Sequence, residues 1–224
     1  MLLRALAALI VSLALITISS ALGKEAVRPC IARPCRAQPT DPLERADCLV
    51  RLGKYREALD LCNQSSGTTK DLDLYHLHLV RSNAYSYLGE NDKAVAEATR
   101  AIELEPGEVD AYVCRSDSYN HLGEPGKALA DCNKGLELDT QDGALYCNRG
   151  EAQILLRKYF AAIKDLNLAT ELIPSHGEAY YFRGLAYEKL RNKTAAAADK
   201  AKSIQLGHHP GSSALIYNNM ITRQ

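Results

Sequence analysis

Tryptophan is absent from this 224-residue chain, phenylalanine and methionine occur twice each, and Lys plus Arg balance Asp plus Glu at 27 apiece. The even balance excludes the clustered basic footprint that nucleic-acid binding requires. Charges of both signs are instead mixed along the sequence, in the way of solvated helix faces. Also missing are a glycine-rich phosphate loop behind a strand, a nucleophile elbow, and a carboxylate pair set apart from the prevailing pattern. Without these, neither catalysis nor a cofactor is expected.

What is present is a spacing of 34 residues, kept through four consecutive blocks that begin at Tyr75, Val109, Gly143 and Gly177. Eight places into each block stands a small residue (Ser82, Ser116, Gly150, Gly184), and at the twentieth place an alanine (Ala94, Ala128, Ala162, Ala196). Pro106 and Pro174 close the first and third blocks, where a helix has to stop. An earlier copy starts at Pro39 and carries Ala46, Leu49, Leu52-Gly53, Tyr55 and Ala58 in matching places, with two extra residues in the loop Ser65-Ser66-Gly67-Thr68-Thr69. Apolar residues recur at helical spacing within the blocks, as in Ala128, Leu129, Cys132 and Leu136.

The period and these residues resemble the tetratricopeptide repeat, whose pattern is W-x2-L-G-x2-Y, then A-x3-F, then P. The resemblance covers residues 39–208, as repeats 39–74, 75–108, 109–142, 143–176 and 177–208. It implies an all-α, right-handed superhelical solenoid of about five helix-turn-helix units, each burying one face against its neighbours. The missing tryptophan is replaced by Tyr112, Tyr146 and Tyr180, and by His78 and Pro42 in the other two copies. An arginine precedes the small residue in every copy: Arg45, Arg81, Arg115, Arg149, Arg183. Sixteen places after the last four stand Glu97, Asp131, Asp165 and Asp199, the partners a half-buried guanidinium needs. Pairs inside each hairpin are therefore expected.

Arg4 precedes an apolar run from Ala5 to Ile18, followed by the small-residue exit Ser19-Ser20-Ala21-Leu22-Gly23. Residues 1–23 read as a secretory signal peptide, and the mature chain is then exported, periplasmic or secreted. The rival reading is an uncleaved membrane anchor, since the run approaches the ~18–20 apolar residues that span a bilayer. Residues 24–38 form a Pro-rich basic linker with Cys30 and Cys35, and residues 209–224 a C-terminal capping segment.

Export makes the seven cysteines worth weighing as disulfide partners. Cys30 with Cys35 is a candidate local pair, Cys48 with Cys62 a clamp within the first repeat, and Cys132 with Cys147 a clamp across a repeat junction. The other reading of the repeat cysteines is small core residues. No metal is expected. His208-His209 lack an acidic or thiol companion and read as a solvated loop, while Asn63-Gln64-Ser65 and Asn192-Lys193-Thr194 are glycosylation sequons.

By the resemblance, the concave face is lined by the first helix of each repeat. Its acids in this sequence are Asp47, Asp110, Asp117, Glu151, Glu178 and Glu188, against the bases Arg51 and Lys189. Asn83, Tyr87, His121 and Tyr181 share the face, as do Ser86 and Asn120. The carboxylate clamp of the family's chaperone-tail binders is missing, its fifth-place residues being Leu43, Leu79, Val113, Cys147 and Tyr181. The expected function is an exported scaffold or adaptor that binds a protein or peptide with basic and apolar anchors through an acidic groove. A thiol-dependent redox or metal-handling protein is the alternative.

Overall fold

The computed structural model describes residues 41–65 and 74–208. The signal segment, the linker with Cys30 and Cys35, His209 and the capping segment lie outside the described residues. Those described form ten α-helices in five antiparallel pairs and no strand: α1 (Pro42–Arg51) with α2 (Tyr55–Ser65), α3 (Leu74–Tyr87) with α4 (Asn91–Leu104), and α5 (Val109–His121) with α6 (Pro125–Leu138). The last two pairs are α7 (Gly143–Leu155) with α8 (Tyr159–Leu172), and α9 (Gly177–Lys189) with α10 (Lys193–Gln205). None of these helices is long and apolar enough to cross a membrane.

Local chemistry sets the ends of the helices. Asp41 and Asp142 cap α1 and α7 by accepting backbone N–H bonds, and Pro42 and Pro125 occupy first turns where no donor is needed. Each hairpin turn repeats one motif. In the first, Gly53 N donates to Val50 O and Lys54 N to Leu49 O, which satisfies the end of α1 with a left-handed residue at the corner. Gly53, Gly89 and Gly123 take that corner with φ of 75°, 76° and 72°. In the last two repeats Arg157 and Arg191 are forced into it, at φ 60° and 62°.

The odd-numbered helices form an inner layer, each touching the next odd-numbered helix, while the even-numbered ones lie outside, the first four each wedged between two inner helices and α10 packed on α9 alone. No Cα of one outer helix comes within 8 Å of the next outer helix among the described residues. The small residues of the repeat pattern sit where helices meet. A Cβ on Gly150 would stand 2.6 Å from Leu166 Cγ, which no side chain tolerates without movement. Ser82 and Ser116 are completely buried, and each hydroxyl donates to a backbone carbonyl, of Ala94 and Val113. Alanines at the twentieth place are 0 to 5 % exposed, filling the facing position on the outer helix.

Three of the four expected arginine pairs form as two-pronged contacts between inner and outer helix: Arg115 with Asp131, Arg149 with Asp165, Arg183 with Asp199, all at 2.7–2.9 Å. The same guanidiniums also donate backward to the preceding outer helix, at Thr99 (3.2 Å), Asn133 (3.0 Å) and Asn167 (2.9 Å). Each arginine therefore joins its own repeat to the one before it. The fourth pair is a correction. Glu97 takes its hydrogen bond from His78 (2.6 Å) and a second from Arg100 (3.1 Å), while Arg81 donates to Asn63. His78 stands where the other repeats carry the tyrosine, and its ring reaches the carboxylate first.

The cysteine clamps are also corrected: neither the Cys48–Cys62 nor the Cys132–Cys147 disulfide forms. Cys62, Cys132 and Cys147 are at most 1 % exposed and lie in three different core clusters, where they pack as small apolar side chains. His208 departs from a solvated loop as well. It is half-buried, its N–H caps α10 by donating to Ser203 O, and its ring lies 5.3 Å from that of Tyr181.

Candidate protein-binding groove

Three carboxylates come together on consecutive inner helices: Asp117 of α5, Glu151 of α7 and Glu178 at the start of α9. The charges of Asp117 and Glu178 oppose ionisation of Glu151, and that of Glu178 opposes ionisation of Asp117. Glu151 forms the floor, at 2 % exposure, whereas the Asp117 and Glu178 side chains are about one-third exposed, 32 % and 34 %. The expected position of Glu151 on an open face is thus wrong. A carboxylate at this place on α7 falls between its neighbours, because the inner helices pack directly on one another.

A buried amide chain holds the floor in place. Asn148 donates to Val113 O (3.1 Å) and Ser116 Oγ (3.0 Å); Asn120 donates to Asn148 O (2.8 Å) and to Glu151 Oε2 (3.0 Å). Glu151 Oε1 and Asn120 Oδ1 are buried acceptors that receive no hydrogen bond. The walls are better supplied. Asp117 accepts from Ser86 Oγ (3.0 Å) and lies 3.8 Å from His121 Nδ1, and Glu178 Oε2 is 3.7 Å from His176 Nε2.

These surroundings tune the three groups differently. Burial, then the charges of Asp117 and Glu178, push Glu151 well above the usual carboxylate range, against the one favourable bond from Asn120. Asp117 is raised as well, chiefly by burial and, against the pull of His121, by Glu178. Burial works in the same direction on Glu178, but the nearby rings of His176, His208 and His121 outweigh it and leave that carboxyl low. Tyr87 borders the cluster: its phenol is raised by burial and by Asp117 and Glu178, and its ring stacks on Tyr55 with centroids 5.0 Å apart.

The other expected groove residues do not join this cluster. Asp47 is 8 % exposed and bound to Arg51 at 2.6 Å, so an expected acid and an expected base of the groove neutralise each other. Glu188 turns outward to Lys200 of α10. Asn83 and Tyr181 are buried, at 5 % and 7 %, and Asp110 is half-buried in the first turn of α5. His176 lies in the loop before α9, outside the helical spacing that marks the other groups, and reaches Glu178 from there. Among the described residues no group of three or more His, Cys, Asp or Glu is arranged to hold a metal ion.

Stacked helical hairpins with an inner layer lining one face define a helical-repeat solenoid. The sequence profile of the tetratricopeptide repeat matches residues 79–143 and 148–211, and the chain belongs to that family. Among solved structures it is similar to TTC0263, a thermophilic tetratricopeptide repeat protein of Thermus thermophilus, with a TM-score of 0.66 and 20 % identity over 81 % of this chain and 97 % of that one. It is also similar to MamA from AMB-1, with a TM-score of 0.56 and 19 % identity over 74 % and 97 % of the two chains. At these identities the likeness concerns the fold. No curated protein matches the chain by sequence.

Proposed function

We propose that this chain is an exported protein-binding scaffold, without catalysis of its own, that holds a basic segment of its partner in the groove of the inner helices. The observation that carries this reading is the meeting of Asp117, Glu151 and Glu178 on three neighbouring inner helices, with Tyr87 beside them as an apolar contact. Asp117 and Glu178 at the mouth, above a Glu151 that burial raises and with the rings of His121, His176 and His208 around them, place carboxylates on a surface made of rigid helices, and such a surface attracts cationic segments. Family membership supports a role in protein interaction, and the fold alone does not choose the partner. Export rests on the order Arg4, apolar run and small-residue exit at the N-terminus.

The test is selection from a peptide library on the immobilised mature chain. Enrichment of Lys or Arg beside aromatic or aliphatic residues, with binding that weakens as salt rises, is the expected result. Enrichment of acidic or uncharged peptides rejects the groove as the binding surface. The mass of exported material should correspond to a start near Lys24; retention of Met1 favours the anchor.

The thiol-based alternative gains no footing from the buried cysteines. Desolvation raises Cys62 to about 11 and Cys132 to about 12, and Cys147 well above its ordinary value. None of these thiols supplies thiolate near neutral pH.

A further inference from the structure

We infer that the carboxylate cluster is an arginine pocket: Asp117, Glu151, Glu178 and the side-chain carbonyl oxygen of Asn120 receive one guanidinium from the partner. This rests on the acidic-groove reading and names its anchoring contact. Acidic residues alone carry little, since a solvated helix face has as many. Here the floor adds a second observation. Glu151 Oε1 and Asn120 Oδ1 are both buried acceptors without a donor, and Asn120 is 0 % and Glu151 2 % exposed. A buried acceptor left unmade is costly, and native proteins rarely keep two on adjoining side chains. The Asn120 amide cannot relieve the deficit, because its N–H groups are already committed to Asn148 O and Glu151 Oε2.

What the floor lacks is a donor to these two atoms; a cation entering the cluster would supply it and hold Glu151 ionised against the burial that favours its protonated form. The histidines around the cluster, His121, His176 and His208, act on the wall carboxylates instead. His121 stands near Asp117 at 3.8 Å and His176 near Glu178 at 3.7 Å, each beside a wall carboxylate rather than the floor. A guanidinium offers five N–H donors in a planar fork, matched to several acceptors at once, whereas an ammonium is a compact charge with three donors and a strong hydration shell. Asp117 and Glu178, each about one-third exposed, supply the countercharge above the floor.

The test is calorimetric titration of the full mature chain with three blocked pentapeptides, alanine-based, carrying a central Arg, Lys or citrulline. Arginine is expected to bind about tenfold or more tightly than citrulline, which keeps the shape without the charge, and more tightly than lysine. Glu151→Gln and Asp117→Asn should each cost about tenfold in arginine affinity, while Glu137→Gln, on an outer helix, leaves it unchanged. Circular dichroism checks that each variant is folded, and the isosteric Glu151→Gln keeps the floor filled. Equal binding of Arg and citrulline, or arginine binding indifferent to Glu151→Gln and Asp117→Asn, overturns the pocket. If library selection still returns basic peptides in that case, the groove reading stands without it. Saturable binding of Ca2+ or Mn2+ alone that displaces the arginine peptide also overturns the proposal, by making the cluster a metal site.

Discussion

Arg149 and Asp165 meet through two parallel hydrogen bonds of 2.7 and 2.9 Å, and the third nitrogen of the same guanidinium reaches Asn133 on the neighbouring repeat at 3.0 Å. Asp165 is 5 % exposed and also accepts from Gln153 at 2.8 Å. Removing the carboxylate leaves a half-buried cation without its counterion. Asp165→Ala should therefore destabilise by about 1–3 kcal/mol, more than an exposed pair, and Asn133→Ala by about 1 kcal/mol or less. Urea unfolding midpoints at constant slope measure both, and a reversed order would mean that the seam between repeats matters more than the hairpin.

Gly150→Ala should cost about 1–3 kcal/mol by overpacking, because the new Cβ would stand 2.6 Å from Leu166 Cγ. Leu166 is fully buried and cannot swing into solvent. Gly107→Ala, with nothing near its Cβ, should be neutral or mildly stabilising. A double variant with Leu166→Ala should recover part of the strain, which appears as coupling between the two changes.

Arg191→Gly should raise stability by up to about 1 kcal/mol, since the left-handed corner costs an L-residue about 1–2 kcal/mol and glycine's extra unfolded-state freedom returns part of that. The converse, Gly123→Arg, should lower stability at the equivalent turn, where φ is 72°. Thermal midpoints of the two variants moving in the same direction would contradict this account.

The carboxylates predict opposite pH behaviour. Glu151 is raised in the folded protein, so its contribution is fully present below the usual carboxylate range and is lost as pH rises through the folded value. Glu151→Gln should then match the parent protein at low pH and exceed it in stability at neutral pH. Glu178 is held low, so its contribution is present above the usual range and is lost on acidification. Glu178→Gln should be the less stable at neutral pH and converge with the parent as pH falls. Denaturant titrations across this range measure both differences.

In the native protein Cys62, Cys132 and Cys147 should resist alkylation at pH 8, being both buried and raised in pKa. They should react once denaturant is added. Mass spectrometry of alkylated peptides distinguishes the two states, and modification of Cys132 without denaturant would show local opening between α6 and α7.

The period of 34 made the hairpins, their turns and the junction glycines legible from the sequence, because each depends on local spacing and on small side chains at fixed places. Three arginine pairs were legible for the same reason. The fourth was not, because His78 competes for Glu97 and a ring's reach across a hairpin leaves no trace in periodicity. The carboxylate cluster was half legible. Place nine of the first helix does face the neighbouring inner helices, but the same place holds Asp47 tied to Arg51, Asp117 at the wall and Glu151 at the floor. Depth there depends on how closely successive inner helices approach, and a linear pattern does not carry that distance. His176 was missed because a loop residue has no place in a helical count.

No Cα of one outer helix lies within 8 Å of a Cα of the next among the described residues, whereas the inner helices form an unbroken row. Such a layered array bends like a hinged strip: its inner edge keeps its length while its outer edge opens or closes. At each of the four junctions a guanidinium of the inner helix is bound to a hydroxyl or amide on the outer helix of the previous repeat. Changes in the spacing of the repeats therefore register first as stretching at Asn63, Thr99, Asn133 and Asn167, on the outer side of the array.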